Sequence, residues 1–116
     1  MTFVQSTNGF PVSFVRQDWQ DATLENSWAN VGSPYYNAGY YKDPFGIVRL
    51  RGRVDSGSSG TVALTLPTGF RPNATIKLPA EDSGSVTINF SGQVILTTSS
   101  GTPEISLESI TFLAEA

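Results

Sequence analysis

The side chains best equipped to recognise another molecule are three arginines and a cluster of aromatics in the first half of the chain. Arg49, Arg51 and Arg53 stand at i, i+2 and i+4, so on an extended strand they share one face at a spacing of about 7 Å. Such a row of guanidinium forks suits carboxylates on another chain, with Asp43, Glu104 and Glu108 as the matching groups. The plainer reading is a solvated strand edge guarded by its charge. Trp28, Tyr35, Tyr36, Tyr40 and Tyr41 offer flat rings for the apolar faces of pyranose sugars and hydroxyls for their polar edges. Alternating aromatics also fill the core or a subunit interface of a two-layer β domain. Trp28, Tyr35 and Tyr36 are therefore candidate glycan contacts, and Arg49, Arg51 and Arg53, with Phe3 and Phe10, are candidate interface residues.

Inventory excludes much else. The chain has no His and no Cys, which removes Ser-His and Cys-His nucleophiles, imidazole or thiolate metal sites and disulfides. Ten Asp and Glu leave a carboxylate pair for glycoside cleavage formally open, because such pairs are set in space rather than in sequence. No Gly loop for phosphate and no calcium loop is present, and Asp55-Ser56-Gly57-Ser58-Ser59-Gly60 reads as a flexible turn. The expectation is a non-enzyme with no catalytic residue, cofactor or metal. A formal charge of −3 repels nucleic acid and anionic membranes. Neither an apolar run of about 18 residues nor a secretion signal is visible, so a soluble chain made in a cytoplasm is expected.

These side chains must be positioned by strands. Charged residues are only 15% of the 116-residue chain, and Ser, Thr and Gly supply the polarity, a composition that favours pleated strands and tight turns. Ten short β-rich runs broken by Gly, Pro, Asn and Ser, of which Ala22–Trp28 is a weaker one, predict about nine strands. The runs are Val12–Gln17, Ala22–Trp28, Tyr35–Tyr41, Gly46–Val54, Thr61–Leu66, Thr75–Leu78, Ser85–Phe90, Gln93–Thr98, Glu104–Leu107 and Ser109–Leu113. In Gly46–Val54 the alternation turns Val48, Leu50, Gly52 and Val54 inward. In Thr61–Leu66 it sets Val62, Leu64 and Leu66 against Thr61, Ala63 and Thr65. Pro67 ends that strand, Phe70 is expected to plug the end of the core, and Ser91-Gly92 reads as a two-residue hairpin link. Residues 1–14 read as an arm or a first strand, with turn chemistry at Ser6-Thr7-Asn8-Gly9, and residues 15–116 as one domain. A core this small with no disulfide invites oligomerisation.

The order of features from residue 28 carries a resemblance. Trp28-Ala29-Asn30-Val31 is followed by Tyr40-Tyr41-Lys42-Asp43 and Gly46-Ile47-Val48-Arg49-Leu50-Arg51-Gly52-Arg53-Val54. Leu66-Pro67-Thr68-Gly69-Phe70-Arg71-Pro72, Gly92-Gln93-Val94 and Ile105-Ser106-Leu107-Glu108-Ser109-Ile110-Thr111-Phe112 come next. The series resembles the bacteriophage surface module that recurs at the ends of tail fibres, minor structural proteins and receptor-binding proteins. It covers residues 15–116. The resemblance implies a jelly-roll-like antiparallel β-sandwich that assembles as a homotrimer on the virion surface, without catalytic residues or a shared ligand motif. Modules of that group follow a long shaft or anchor, whereas only residues 1–14 precede the domain here. If Met1 is the natural start, the expected role is a trimeric capsid decoration, or cement, protein held by the major capsid protein. The alternative is a tail-fibre or receptor-binding module that recognises host-surface glycan.

Overall fold

A computed structural model describes residues 2–7, 10–15, 19–80, 83–99 and 104–115, with side chains described from Trp19 onward. Among these residues there are thirteen strand segments and no α-helix. All pairings are antiparallel. The chain is therefore all-β, as its composition requires.

Strands β1 (Thr2–Thr7) and β2 (Phe10–Val15) pair with each other, from Thr2↔Val15 to Thr7↔Phe10. The segment read as an arm or single first strand is thus a hairpin. The strand expected at Val12–Gln17 begins earlier, and Arg16 and Gln17 lie outside the described residues. The side chains of Phe3 and Phe10, the candidate interface anchors, also lie outside them.

The remaining strands make three sheets around one core. The first runs β13-β6-β5-β3, built from β3 (Gln20–Asp21), β5 (Gly39–Lys42), β6 (Ile47–Arg51) and β13 (Thr111–Leu113). The second, β12-β7-β4, joins β4 (Ala29–Asn30), β7 (Arg53–Asp55) and β12 (Ile105–Ser106). The third runs β8-β11-β10-β9, from β8 (Thr61–Thr65), β9 (Ile76–Pro79), β10 (Ser85–Ile88) and β11 (Gln93–Thr97). That last order is a Greek key, in which three consecutive strands form a meander and the strand before them returns beside the last. Val48 and Leu50 of the first sheet, Val54 and Ile105 of the second, and Leu64, Val86, Ile88, Val94 and Leu96 of the third fall in one buried cluster. Burying each such side chain is worth roughly 1.5–3 kcal/mol. The arrangement is compatible with a β-sandwich; the strand orders do not reach as far as a jelly roll.

Several expected strands are broken where backbone geometry overrides alternation. Gly46–Val54 is two strands in two sheets, divided at Gly52, whose φ of +108° belongs to glycine. A Cβ there would stand 2.6 Å from the Ala38 Cα. Val48, Leu50, Gly52 and Val54 are all buried, as the alternation requires. No strand forms across Ala22–Trp28, because Asn26 and Ser27 adopt positive φ and the Trp28 amide closes a turn on the Glu25 carbonyl at 3.0 Å. Of Tyr35–Tyr41 only Gly39 onward is extended; the Tyr35 amide closes a turn on the Gly32 carbonyl at 2.9 Å.

In β8 the register shifts between Val94↔Leu64 and Ile95↔Val62. Ala63 is the extra residue of this bulge and is buried beside Leu64, so the strict alternation expected there fails at that point. Phe70 is half-buried against the core, its ring 5.2 Å from that of Tyr40, which agrees with its expected plugging role. The β10–β11 hairpin is present, but its link is longer than Ser91-Gly92. The Gly92 amide bonds the Asn89 carbonyl at 2.9 Å and Gly92 takes φ +85°, the three-residue loop that ends in a left-handed glycine.

Candidate functional site

The outer face of the β13-β6-β5-β3 sheet holds a surface cleft ringed by aromatic and charged side chains. Val48 and Leu50 of β6 point into the core, which turns Arg49 and Arg51 outward. Arg49 sits between Tyr41 on β5 and Thr111 on β13. Arg51 lies opposite Gly39, and its Nε is 3.8 Å from where a Cβ on residue 39 would stand. Gly39 also permits β3 to approach, since that Cβ would be 2.9 Å from the Gln20 carbonyl oxygen. A bare backbone at position 39 thus makes room for both the neighbouring strand and the arginine.

Two rings pack against Arg51. Its guanidinium carbon is 4.4 Å from the centroid of Trp19 and 4.5 Å from that of Tyr36, well inside cation–π range. Trp19 is itself braced edge-on by Tyr41, at 4.4 Å between centroids and 62° between planes. Beside this stack opens a cleft of about 320 Å³, lined by Trp19, Tyr36, Arg49, Leu50, Arg51, Glu108 and Thr111. The size suits one or two sugar-sized groups at the lower end of ligand pockets. Glu108 is fixed from below, its Oε2 accepting the Gly52 amide at 2.7 Å. Comparison with family models, curated proteins and solved structures finds no match for this chain. The reading of the site therefore stands on its chemistry.

The three arginines do not form the uniform ladder that their spacing predicts. Arg53 lies beyond the break at Gly52, and its Nε donates to Glu104 Oε2 at 2.6 Å, with Tyr35 5.2 Å from its guanidinium. Arg49 approaches Asp43 Oδ2 at 3.9 Å, a long contact, while Asp43 Oδ1 accepts the amides of Phe45 and Ile47 and holds a turn. Glu104 and Asp43, expected to meet arginines on another chain, meet them within this one.

The aromatic candidates also separate. Trp28 is only 4% exposed; its ring covers Gly57 and its Nε1 donates to Thr61 Oγ1 at 2.9 Å. It is a core residue and offers no face to a sugar, which corrects its assignment as a glycan contact. The loop Asp55–Gly60, read as a flexible turn, packs over that indole at Gly57. Tyr35 and Tyr36 remain exposed, but only Tyr36 lines the cleft. Trp19, Glu108 and Thr111 were not among the candidate ligand contacts. Trp19 carries a legible signal, a lone indole in the polar run Arg16-Gln17-Asp18-Trp19-Gln20-Asp21, whereas Thr111 enters only through its pairing with Arg49.

Proposed function

We propose that this chain is a non-catalytic surface module of a bacteriophage virion that binds host-surface glycan through the cleft beside Trp19, Arg51 and Tyr36. The observation that carries the binding role is the stack itself: aromatic rings, one of them 60% exposed, next to fixed polar groups in a sugar-sized cleft. The phage setting comes from the ordered sequence resemblance. Assembly as a homotrimer would place three clefts on one knob, so that weak single contacts combine through effective concentration. Exposed Phe45, Phe90 and Leu113 supply apolar surface for such subunit or tail-protein contacts.

Capsid decoration draws its footprint from the arginine row and residues 1–14. Arg53 lies in a different sheet from Arg49 and Arg51 and is engaged by Glu104 within the chain, so the row has less to offer a capsid than its spacing suggests. The receptor-binding reading is therefore preferred.

Antibody labelling of intact virions, with saturable binding of the purified chain to host cells, tests the proposal. Label at the tail tip or fibres and cell binding abolished by Tyr36→Ala are expected. Label spread over the head, with no cell binding, would overturn it in favour of decoration.

A further inference from the structure

We infer that the cleft takes an anionic saccharide whose carboxylate or phosphate is gripped by Arg51. The inference rests on the glycan-binding reading above and names the ligand class.

Arg51 is placed as an anion receptor would place it. Its guanidinium carbon lies 4.4 and 4.5 Å from the two ring centroids, contacts that consume none of the guanidinium's N–H donors. Among the described residues its Nε is buried with no hydrogen-bond partner and Arg51 forms no ion pair. A buried donor on a cation without an acceptor is costly. The buried Nε itself is closed to a ligand, but an oxyanion in the cleft supplies the guanidinium with a counter-charge through its terminal amino groups, and the rings packed on it already restrict its orientation, so little freedom is lost on binding.

Charge in the cleft agrees. Arg49 and Arg51 face Glu108, two cations against one carboxylate, on a chain whose formal charge is −3. Arg49 is 47% exposed in its side chain and stands where it can steer or share the anion. Arg51 occupies one face of Tyr36, and the remaining exposure of that ring leaves a face for a pyranose. A neutral sugar would use the ring and leave the Arg51 cation without a counter-charge; an acidic one uses both.

The test is calorimetric titration of the full chain with three oligosaccharides of matched length: neutral, uronic-acid-bearing and phosphodiester-linked. One or both anionic ligands should bind about ten-fold or more tighter than the neutral one, and the preference should fall as salt is raised. The two anionic arms separate carboxylate from phosphate. Arg51→Lys, which keeps the charge but loses the fork, should remove most of the preference. Arg49→Gln, at an exposed position, should weaken anionic binding with the fold intact. Glu108→Gln should strengthen it by about two- to five-fold. Equal binding of neutral and anionic ligands would overturn the inference while the glycan reading survives. Binding of none of the three, by a chain with an unchanged melting curve, would overturn both.

Discussion

The indole of Trp28 covers Gly57 so closely that a Cβ on residue 57 would fall 2.1 Å from the indole Cδ2. Thr61 Oγ1 ties the arrangement together, accepting from Trp28 Nε1 at 2.9 Å and donating to the Ser58 carbonyl at 2.6 Å. Gly57→Ala must displace either the indole or the loop. A destabilisation of about 1–3 kcal/mol is expected, read as a lowered thermal midpoint with a red shift in tryptophan emission. An unchanged midpoint would mean that the loop does not clamp the ring.

The two aromatics grouped together by sequence should behave oppositely. Trp28→Ala empties a core site and should cost about 3–5 kcal/mol. Tyr36→Ala removes an exposed ring and should change stability by no more than about 1 kcal/mol while abolishing glycan binding. Urea titration of both variants, alongside a binding assay, distinguishes a packing residue from a contact residue.

Arg53 and Glu104 lock β7 to the start of β12 with a 2.6 Å bond. The side chains are 19% and 37% exposed, so solvent screens part of the attraction and the pair should contribute about 1 kcal/mol or less. A double-mutant cycle of Arg53→Gln and Glu104→Gln should give a coupling energy of that size, reduced in high salt. Zero coupling would leave the pair without a stabilising role.

The β10–β11 loop offers a graded test. Asn89 Oδ1 accepts the amides of Ser91 and Gln93, both at 3.1 Å, and Asn89→Ala should cost about 1 kcal/mol. Gly92 is less replaceable: it has φ +85°, and a Cβ on it would fall 2.4 Å from the Leu66 carbonyl oxygen. Gly92→Ala should therefore be the more damaging change by chemical denaturation. The reverse order would show that the hairpin tolerates a different turn.

The sequence made the β class and most of the core legible because alternation is a local signal. Val48, Leu50, Val54, Leu64, Leu66, Ile110 and Phe112 are all buried, as their periodicity requires. Interruptions were less legible where the cause lies across the molecule. Gly52 ends β6 because Ala38 passes beside it, and Ala63 turns inward because its partner strand shifts register. Neither neighbour is near in sequence. The pairing of β1 with β2 was partly legible, since Ser6-Thr7-Asn8-Gly9 carries turn chemistry in the sequence, although the segment was read as an arm or one strand and not as two. The candidate site was half-legible: Arg49, Arg51 and Tyr36 lie on one strand or close before it, whereas Trp19 and Glu108 join them only through folding.

Each of the three sheets contains one strand from the last part of the chain. β11 pairs with β8, β12 with β7 and β13 with β6. As the polypeptide leaves the ribosome, the strands that carry the arginines emerge well before the partners that complete their sheets. Long-range pairing of this kind is slow and leaves edges open in the meantime. The nascent chain thus carries unmatched strand edges until β11, β12 and β13 emerge, and the cleft acquires its Glu108 and Thr111 wall only when those strands are in place.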